Sequence, residues 1–430
     1  MAERDVRIGI LGCGTVARGV LELLSRSGPS IATRLGVPVS VARILARTPR
    51  TVSGASDAIV TTDPEQILGD PSIDVVVELI GGIEPAGTWV RRAIAERKGV
   101  VTANKALIAA HGSELLAAAE RSGTDLCFEA AVAGGIPIIR TLREALASDR
   151  VTSLVGIVNG TCNFILSRMS EDGGLDFGAA LAEAQEKGYA EADPALDVDG
   201  LDAAHKLAIL AWLAFGAGLD AGRIHTEGIR DITPRDITFA RRFGYAVKSL
   251  AIGKDLGDRL DLRVHPTLIP LRRVLASVSG ALNAVWLEGE SLGPCLLSGH
   301  GAGGLPTAVS VVSDVIDIAR RIRPGAAGSI RLAAPIAERP VQPIGEVRCR
   351  YFLRMTVQDR PGVLARIAGA LGAHDVSIEQ MVQEGHGSAE PVQLVMLTHV
   401  ARERDVRDAL GEIDALTVVT APSRLIRIES

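Results

Sequence analysis

The sequence predicts an α/β chain in three parts: one built on a parallel sheet, one of mixed α+β character, and one small βαββαβ unit. Three observations carry this. A glycine turn, Gly12-Cys-Gly-Thr-Val-Ala17, separates the apolar run at residues 6–11 from a helical pattern in Val16, Val20, Leu21, Leu23 and Leu24. The β-branched stretch Ile73-Asp-Val-Val-Val-Glu-Leu-Ile80 reads as a strand covered on both faces. After a segment rich in proline, glycine and alanine, residues 348–430 run strand, helix, two strands, helix, strand, a ferredoxin-like order.

Residues 1–140 are expected to form a Rossmann-type NAD(P)-binding domain, because strand, GxGxxA turn and helix in direct succession make the dinucleotide fingerprint. Gly12 permits the tight turn, and Gly14 lets the backbone approach a pyrophosphate. Ala17 lets helix and strand pack closely, and the helix N-terminus attracts the anion. NAD-preferring folds carry an acid at the end of the second strand for the ribose hydroxyls. Here the strand at residues 39–46 ends in Ala46-Arg-Thr-Pro-Arg50. Arg47 and Arg50 suit the 2′-phosphate of NADP, although solvated loop charges are the plainer reading. The strand at 73–80 ends at Gly81-Gly82, and the stretch 99–105 ends on Lys105. Ligands of open α/β sheets lie outside the carboxyl ends of the strands. The glycine turn, Gly81 and Lys105 all fall at such ends, which makes Lys105 a candidate although most single lysines are surface residues. Residues 125–137 close the domain with Glu129 followed by glycines.

The middle part, residues 141–299, contains the most unusual stretch. Asn159-Gly-Thr161 stands at a strand-to-helix junction, placed for a ligand or a cap. An acidic run then holds Glu191, Asp193, Asp197, Asp199 and Asp202 before Lys206. Pro194 and Gly200 argue against a regular helix in its first part. From Leu201 the apolar pattern predicts a buried helix with Asp202 and Lys206 four residues apart on one face. Alone, such a pair is an ordinary ion pair. The surrounding acids favour a functional reading. Burial at the helix start favours a neutral amine that exchanges protons, and the carboxylates favour the ammonium. Residues 226–300 read as short strands of a mixed sheet that covers substrate and pairs subunits. A second glycine turn, Gly299-His-Gly-Ala-Gly-Gly304, opens an apolar helix and is expected to complete the nucleotide domain over about 300–325. Residues 326–347 read as a linker. Residues 348–430 read as a regulatory module, with a dimerisation domain as the alternative.

Composition narrows the function. A net charge of −5 offers no basic face to nucleic acid or to a membrane. The five cysteines are scattered without a CxxC pair, which argues against a disulfide framework or a zinc site and for a reducing compartment. The chain opens on a strand rather than an apolar leader, and the expectation is a soluble cytoplasmic protein.

Five stretches together resemble the homoserine dehydrogenase family with a C-terminal ACT domain: Gly12-Cys-Gly-Thr-Val-Ala, Val-Thr-Ala-Asn-Lys105, Asn159-Gly-Thr, the acidic run ending at Lys206, and Gly-Ala-Gly-Gly-Leu-Pro-Thr307. Asp359-Arg-Pro-Gly-Val-Leu resembles the ligand turn of ACT domains. The resemblance implies reversible reduction of L-aspartate 4-semialdehyde to L-homoserine with NAD(P), in threonine, methionine and isoleucine biosynthesis. It places Cys13, Thr15 and Val16 against the cofactor through their backbone, with Gly188 and Gly303 bordering it and Lys105 between cofactor and substrate. Glu191 and Asp202 bind homoserine, and Lys206 moves the proton. A monovalent cation, sodium, is expected on Glu129, Val132, Gly134 and Ile136, where only Glu129 brings a side chain. Threonine is the expected effector, a homodimer or higher homo-oligomer the expected assembly, and the monofunctional enzyme the expected form. Two alternatives stand beside it. A 2-hydroxy-acid dehydrogenase with an ACT tail needs a His–carboxylate pair, for which His111, His205 and His300 have no clear setting. A non-enzymatic amino-acid sensor needs no lysine at Lys206.

Overall fold

The computed structural model describes residues 4–48, 52, 58–171, 173–218, 221–322, 338–384 and 391–429. Arg50 and residues 326–337 of the expected linker lie outside the described residues. The chain forms two compact units: residues 1–154, 203–223 and 282–339 in the first, and residues 155–202, 224–281 and 340–430 in the second. The division falls inside the strand Val151–Ile157 and inside the helix Leu201–Phe215.

The first unit is organised on six parallel strands: β1 (Val6–Leu11), β2 (Val39–Leu45), β3 (Ile59–Thr61), β4 (Val75–Glu78), β5 (Gly99–Thr102) and β6 (Leu126–Cys127). Their order is β3-β2-β1-β4-β5-β6, the doubly wound nucleotide-binding arrangement, and it reverses between β1 and β4. A strand buried on both faces needs apolar residues at successive positions, and Val75, Val76 and Val77 of β4 are all fully buried. The helix Thr15–Leu35 packs on the helix Gly304–Ile322, which shares its core with β1 and β4. Their approach is close enough that a Cβ on Gly19 would lie 2.4 Å from the Gly304 carbonyl oxygen. The second glycine turn therefore does open a helix of the nucleotide-binding unit. A hairpin, Leu282–Gly289 with Gly293–His300, belongs to the same unit.

The second unit carries a mixed sheet. Tyr245–Asp255 and Leu260–Pro270 form an antiparallel pair eleven residues long, longer than the short runs expected from sequence. Leu260–Pro270 then pairs in parallel with Val419–Ile428. The sheet continues antiparallel through Arg348–Val357, Val392–Thr398 and Ile378–Glu384. The βαββαβ tail thus shares one sheet with the middle of the chain. Alternation along its strands explains why. Tyr351, Leu353 and Met355 pack against the tail's own helices, Val363–Ala373 and Glu403–Asp414. Phe352 joins Val395, Leu397, Ile426 and Ile428 in a core with Cys162, Phe164 and Ile165. Successive strand residues face opposite sides, so the tail sheet is covered twice. The compact units accordingly depart from the expected boundaries of 1–140, 141–299 and 348–430.

The acidic run also differs from expectation. Pro194 caps a one-turn helix, Ala195–Val198, and Gly200, at φ +88°, separates it from the helix Leu201–Phe215. Proline is compatible with a helix start because its missing N–H has no partner there anyway.

Lys248, on Tyr245–Asp255, is buried; its Nζ donates to the Val278 carbonyl at 2.5 Å and lies 3.4 Å from Asn163 Oδ1. Desolvation lowers its amine to about 8. The folded value lies below the unfolded one, so stability falls as pH drops from about 10.5 through 8, where the unfolded chain takes up the proton first. Lys248→Met should therefore stabilise the protein by about 1–2 kcal/mol at pH 7, with the gain fading toward pH 10. Urea midpoints at the two pH values test this.

Candidate functional site

The glycine turn forms one wall of a cleft in the first unit. Gly12, Cys13 and Gly14 line it together with Arg47, Ile80 and Trp89, and its volume is 540 Å³. The Gly12 N–H donates to the Leu45 carbonyl at 3.2 Å, which joins the carboxyl ends of β1 and β2. Gly12 has φ +108°, and a Cβ there would lie 2.9 Å from the Leu79 carbonyl oxygen. The helix starts at Thr15 without a side-chain cap, which leaves first-turn N–H groups as donors for an anion. Gly304 packs within 3.1 Å of Thr15, measured from its would-be Cβ, so the turn holding Gly303 lies beside Thr15 and Val16. Arg47 is exposed at the end of β2, with no acid in its place.

Sequence reasoning missed the residue that shapes the turn after β4. Glu78 is fully buried. Its Oε1 accepts the N–H groups of Ile80 at 2.7 Å and Gly81 at 3.1 Å, and its Oε2 accepts the Thr102 hydroxyl at 2.5 Å. Asn104 continues the network. Its Nδ2 donates to the Gly82 carbonyl at 2.6 Å, and its Oδ1 accepts the Leu107 N–H at 3.1 Å, capping the helix Lys105–Ser122. Gly81 and Lys105 are therefore held by one set of hydrogen bonds, and Lys105 is the first residue of the capped helix, partly exposed. The available signal was an acid at the end of an otherwise apolar strand.

In the second unit, Asn159 does what its position at a helix start suggests and more. Its Oδ1 caps the helix Gly160–Met169 by accepting the Cys162 N–H at 2.8 Å. Its Nδ2 donates to Asp197 Oδ1 at 2.7 Å and Asp202 Oδ2 at 2.8 Å. The Thr161 hydroxyl donates to the Tyr189 carbonyl at 2.6 Å. One carboxamide thus gathers two acids of the run, and Asp197 joins the candidates by this geometry. Asp202 is buried, whereas Glu191 and Gly188 are exposed. Lys206 is partly exposed, four residues from Asp202 on the helix Leu201–Phe215.

The expected cation loop is held by its own hydrogen bonds. Each Glu129 carboxylate oxygen accepts one N–H group, of Ile139 and of Arg140, each at 2.8 Å, so this side chain clamps a helix start. Burial raises its carboxyl, against those N–H bonds. The Glu129 N–H in turn donates to Asp314 at 2.8 Å; burial and the Glu129 charge push Asp314 up to about 8. The Gly134 carbonyl accepts the Ser310 hydroxyl at 2.7 Å, and the Ile136 carbonyl accepts the Ile138 N–H at 2.8 Å. Carbonyl and carboxylate oxygens keep further lone pairs beside these bonds, so the oxygens of Glu129, Val132, Gly134 and Ile136 can still face a monovalent ion. Among the described residues, no three His, Cys, Asp or Glu side chains form a metal-binding group. Nor is any described helix long and apolar enough to cross a membrane.

Comparison with known proteins agrees with this architecture. Residues 137–316 match the family described as homoserine dehydrogenase, residues 12–129 the NAD binding domain of homoserine dehydrogenase, and residues 351–417 the ACT domain. The chain is 43% identical to a homoserine dehydrogenase of Pseudomonas aeruginosa, covering 99% of both. It resembles the crystal structure of a homoserine dehydrogenase from Thiobacillus denitrificans with a TM-score of 0.93 and 44% identity, again over 99% of each chain. A hyperthermophilic archaeal homoserine dehydrogenase in complex with NADPH matches with a TM-score of 0.62 and 27% identity, over 73% of this chain and 98% of that one.

Glu78→Ala leaves the buried Thr102 hydroxyl and the N–H groups of Ile80 and Gly81 without their acceptor. It should cost about 2–4 kcal/mol in unfolding free energy and weaken NADPH binding several-fold. Thermal melts and a fluorescence titration with NADPH measure the two effects, and an unchanged affinity would show that the turn holds its shape without this carboxylate.

Proposed function

This chain belongs to the homoserine dehydrogenase family, and on that footing we propose that it interconverts L-homoserine and L-aspartate 4-semialdehyde with NADP(H), under feedback control through its ACT domain. The enzyme is an oxidoreductase with a nicotinamide-cofactor domain. The observation that best supports the substrate assignment is the buried Asp202, bridged by Asn159 to Asp197 and one helical turn before Lys206. Two acids gathered at one carboxamide present the oxygen acceptors that suit the ammonium of an amino-acid substrate.

In this reading the nicotinamide, when bound, supplies or accepts the hydride. Glu191 and Asp202 bind the amino and hydroxyl end of homoserine. Lys206 donates a proton to the aldehyde oxygen in reduction and removes it from the hydroxyl in oxidation. Lys105 borders cofactor and substrate at the start of its capped helix. Cys13, Thr15, Val16, Gly81, Gly188 and Gly303 contact the cofactor. Arg47, exposed at the cleft and without a competing acid, supports the preference for NADP. Sodium on the backbone oxygens of the Glu129–Ile136 loop takes no part in the proton path. Threonine is the proposed effector and a homodimer or larger homo-oligomer the proposed assembly.

The deciding assay is NADPH oxidation with aspartate semialdehyde, with and without threonine. Absence of turnover would remove the substrate assignment, and activity indifferent to threonine would remove the effector alone. Lys206→Ala should lower kcat by about 10²–10⁴-fold with NADPH affinity little changed; near-full turnover would take Lys206 out of the proton path. Asp202→Asn and Glu191→Gln should instead raise the homoserine KM. Arg47→Ala should reduce the NADPH-over-NADH preference in kcat/KM by about tenfold, the scale of one lost charged contact.

A further inference from the structure

The second unit holds a buried charged network that none of these roles uses. Arg427, on Val419–Ile428, is fully buried. Its Nε donates to Glu403 Oε2 at 2.8 Å, and its Nη1 donates to Glu227 Oε2 at 2.9 Å. Its Nη2 donates to Glu227 Oε1 at 2.8 Å and to Glu403 Oε1 at 2.5 Å. Arg407 reaches the same two acids, at 2.8 Å to Glu403 and 3.1 Å to Glu227, and His225 Nε2 lies 2.9 Å from Glu227. Burial opposes the Glu227 charge, but hydrogen bonds from Arg427 and His225 outweigh it and hold the carboxyl well below the usual range. Buried ion networks are often no more stabilising than the apolar packing that could replace them. Stability alone is therefore a weak reason for this one.

The backbone at Glu227 meets the acidic run. A Cβ on Gly228 would lie 2.5 Å from the Val198 carbonyl oxygen and 2.8 Å from Asp199 Cα. The Ile229 N–H donates to that same Val198 carbonyl at 2.8 Å, and Arg230 Nε donates to Asp199 at 2.5 Å. Val198 and Asp199 stand between Asp197 and Asp202, the two acids gathered by Asn159. Contacts of this kind leave the turn little freedom to move apart from Glu227.

We propose that Glu227, gripped by Arg427 and Arg407 of the ACT tail, is a positioning residue for Asp197 and Asp202, so that the tail sets the affinity of the enzyme for homoserine. The proposal rests on the reading of the acidic run as the substrate side. Glu227→Gln keeps the shape of the side chain and removes its charge. In the full-length enzyme it should raise the homoserine KM about tenfold, with kcat at saturating homoserine changed less than about threefold and NADPH affinity unchanged. A purely structural network would lower the melting temperature and leave KM alone, and a folded, active Glu227→Gln enzyme with wild-type KM overturns the proposal. If that variant does not fold, Arg407→Ala removes a half-exposed member of the network instead. It should raise the same KM by a smaller factor, and an unchanged KM there overturns the proposal too. Wild-type enzyme inactive on homoserine would instead sink the substrate reading, and this proposal with it.

Discussion

Carboxylates answered by backbone or carboxamide N–H groups hold in place the segments proposed to carry the chemistry of this protein. Glu78 fixes the turn after β4 through two backbone N–H groups. Glu129 fixes a helix start in the same way. Asp197 and Asp202 are drawn together by the two hydrogens of one amide. An acid taken from water without a partner costs several kcal/mol, roughly the range seen when buried charges lose their partners. Each of these acids is therefore bound to one geometry, and the loop around it inherits that geometry. In the proposed site the two acids gathered by Asn159 are the groups that meet a cationic amino group.

The cofactor half of the fold was largely legible in the sequence, for reasons that are local. A GxGxxA turn encodes its own backbone conformation, and a run such as Val75-Val-Val encodes burial on both faces, so strand, turn and helix follow from residues within one short window. The missing acid after β2 was equally local, and Arg47 does line the cleft. What the sequence hid were partners brought from far away. Glu78 looked like one polar residue in an apolar run until Thr102 came beside it. Nothing near Glu129 in sequence showed that its two oxygens would accept the amides of Ile139 and Arg140. Asn159 was read as a ligand group or a cap, and its cap is real, but its hold on Asp197 and Asp202 spans 38 and 43 residues.

The tail shows the same limit on a larger scale. Its βαββαβ pattern was visible because each strand alternates and each helix has an apolar face. Pattern alone suggested a module hung on a linker, since nothing in the tail's own period says what covers the second face of its sheet. Cys162, Phe164 and Ile165 cover it from within the second unit by packing on Phe352, Ile426 and Ile428, and Arg427 adds charged contacts to Glu227 beside them. Arg354 reaches the fully buried Asp236 at 2.6 Å in the same unit. A regulatory domain attached in this way has a continuous, packed route to its neighbour, and binding on its sheet has an element to act through.

The parallel pairing of Thr267 with Arg427 and of Leu268 with Ile428 has a consequence for how the protein is made. Contacts between residues this far apart in the chain close late, because the entropy of a long loop is spent before any pairing rewards it. During synthesis the strand Leu260–Pro270 emerges with Tyr245–Asp255 on one edge and His225–Thr226 beside Arg263 and Val264 on the other, and the stretch at Thr267 and Leu268 stays open until residue 428 has been added. An exposed edge invites pairing with other chains, so a ribosome that stalls within residues 340–420 leaves a nascent chain prone to aggregate. For this enzyme, the regulatory tail is also the segment that seals the sheet.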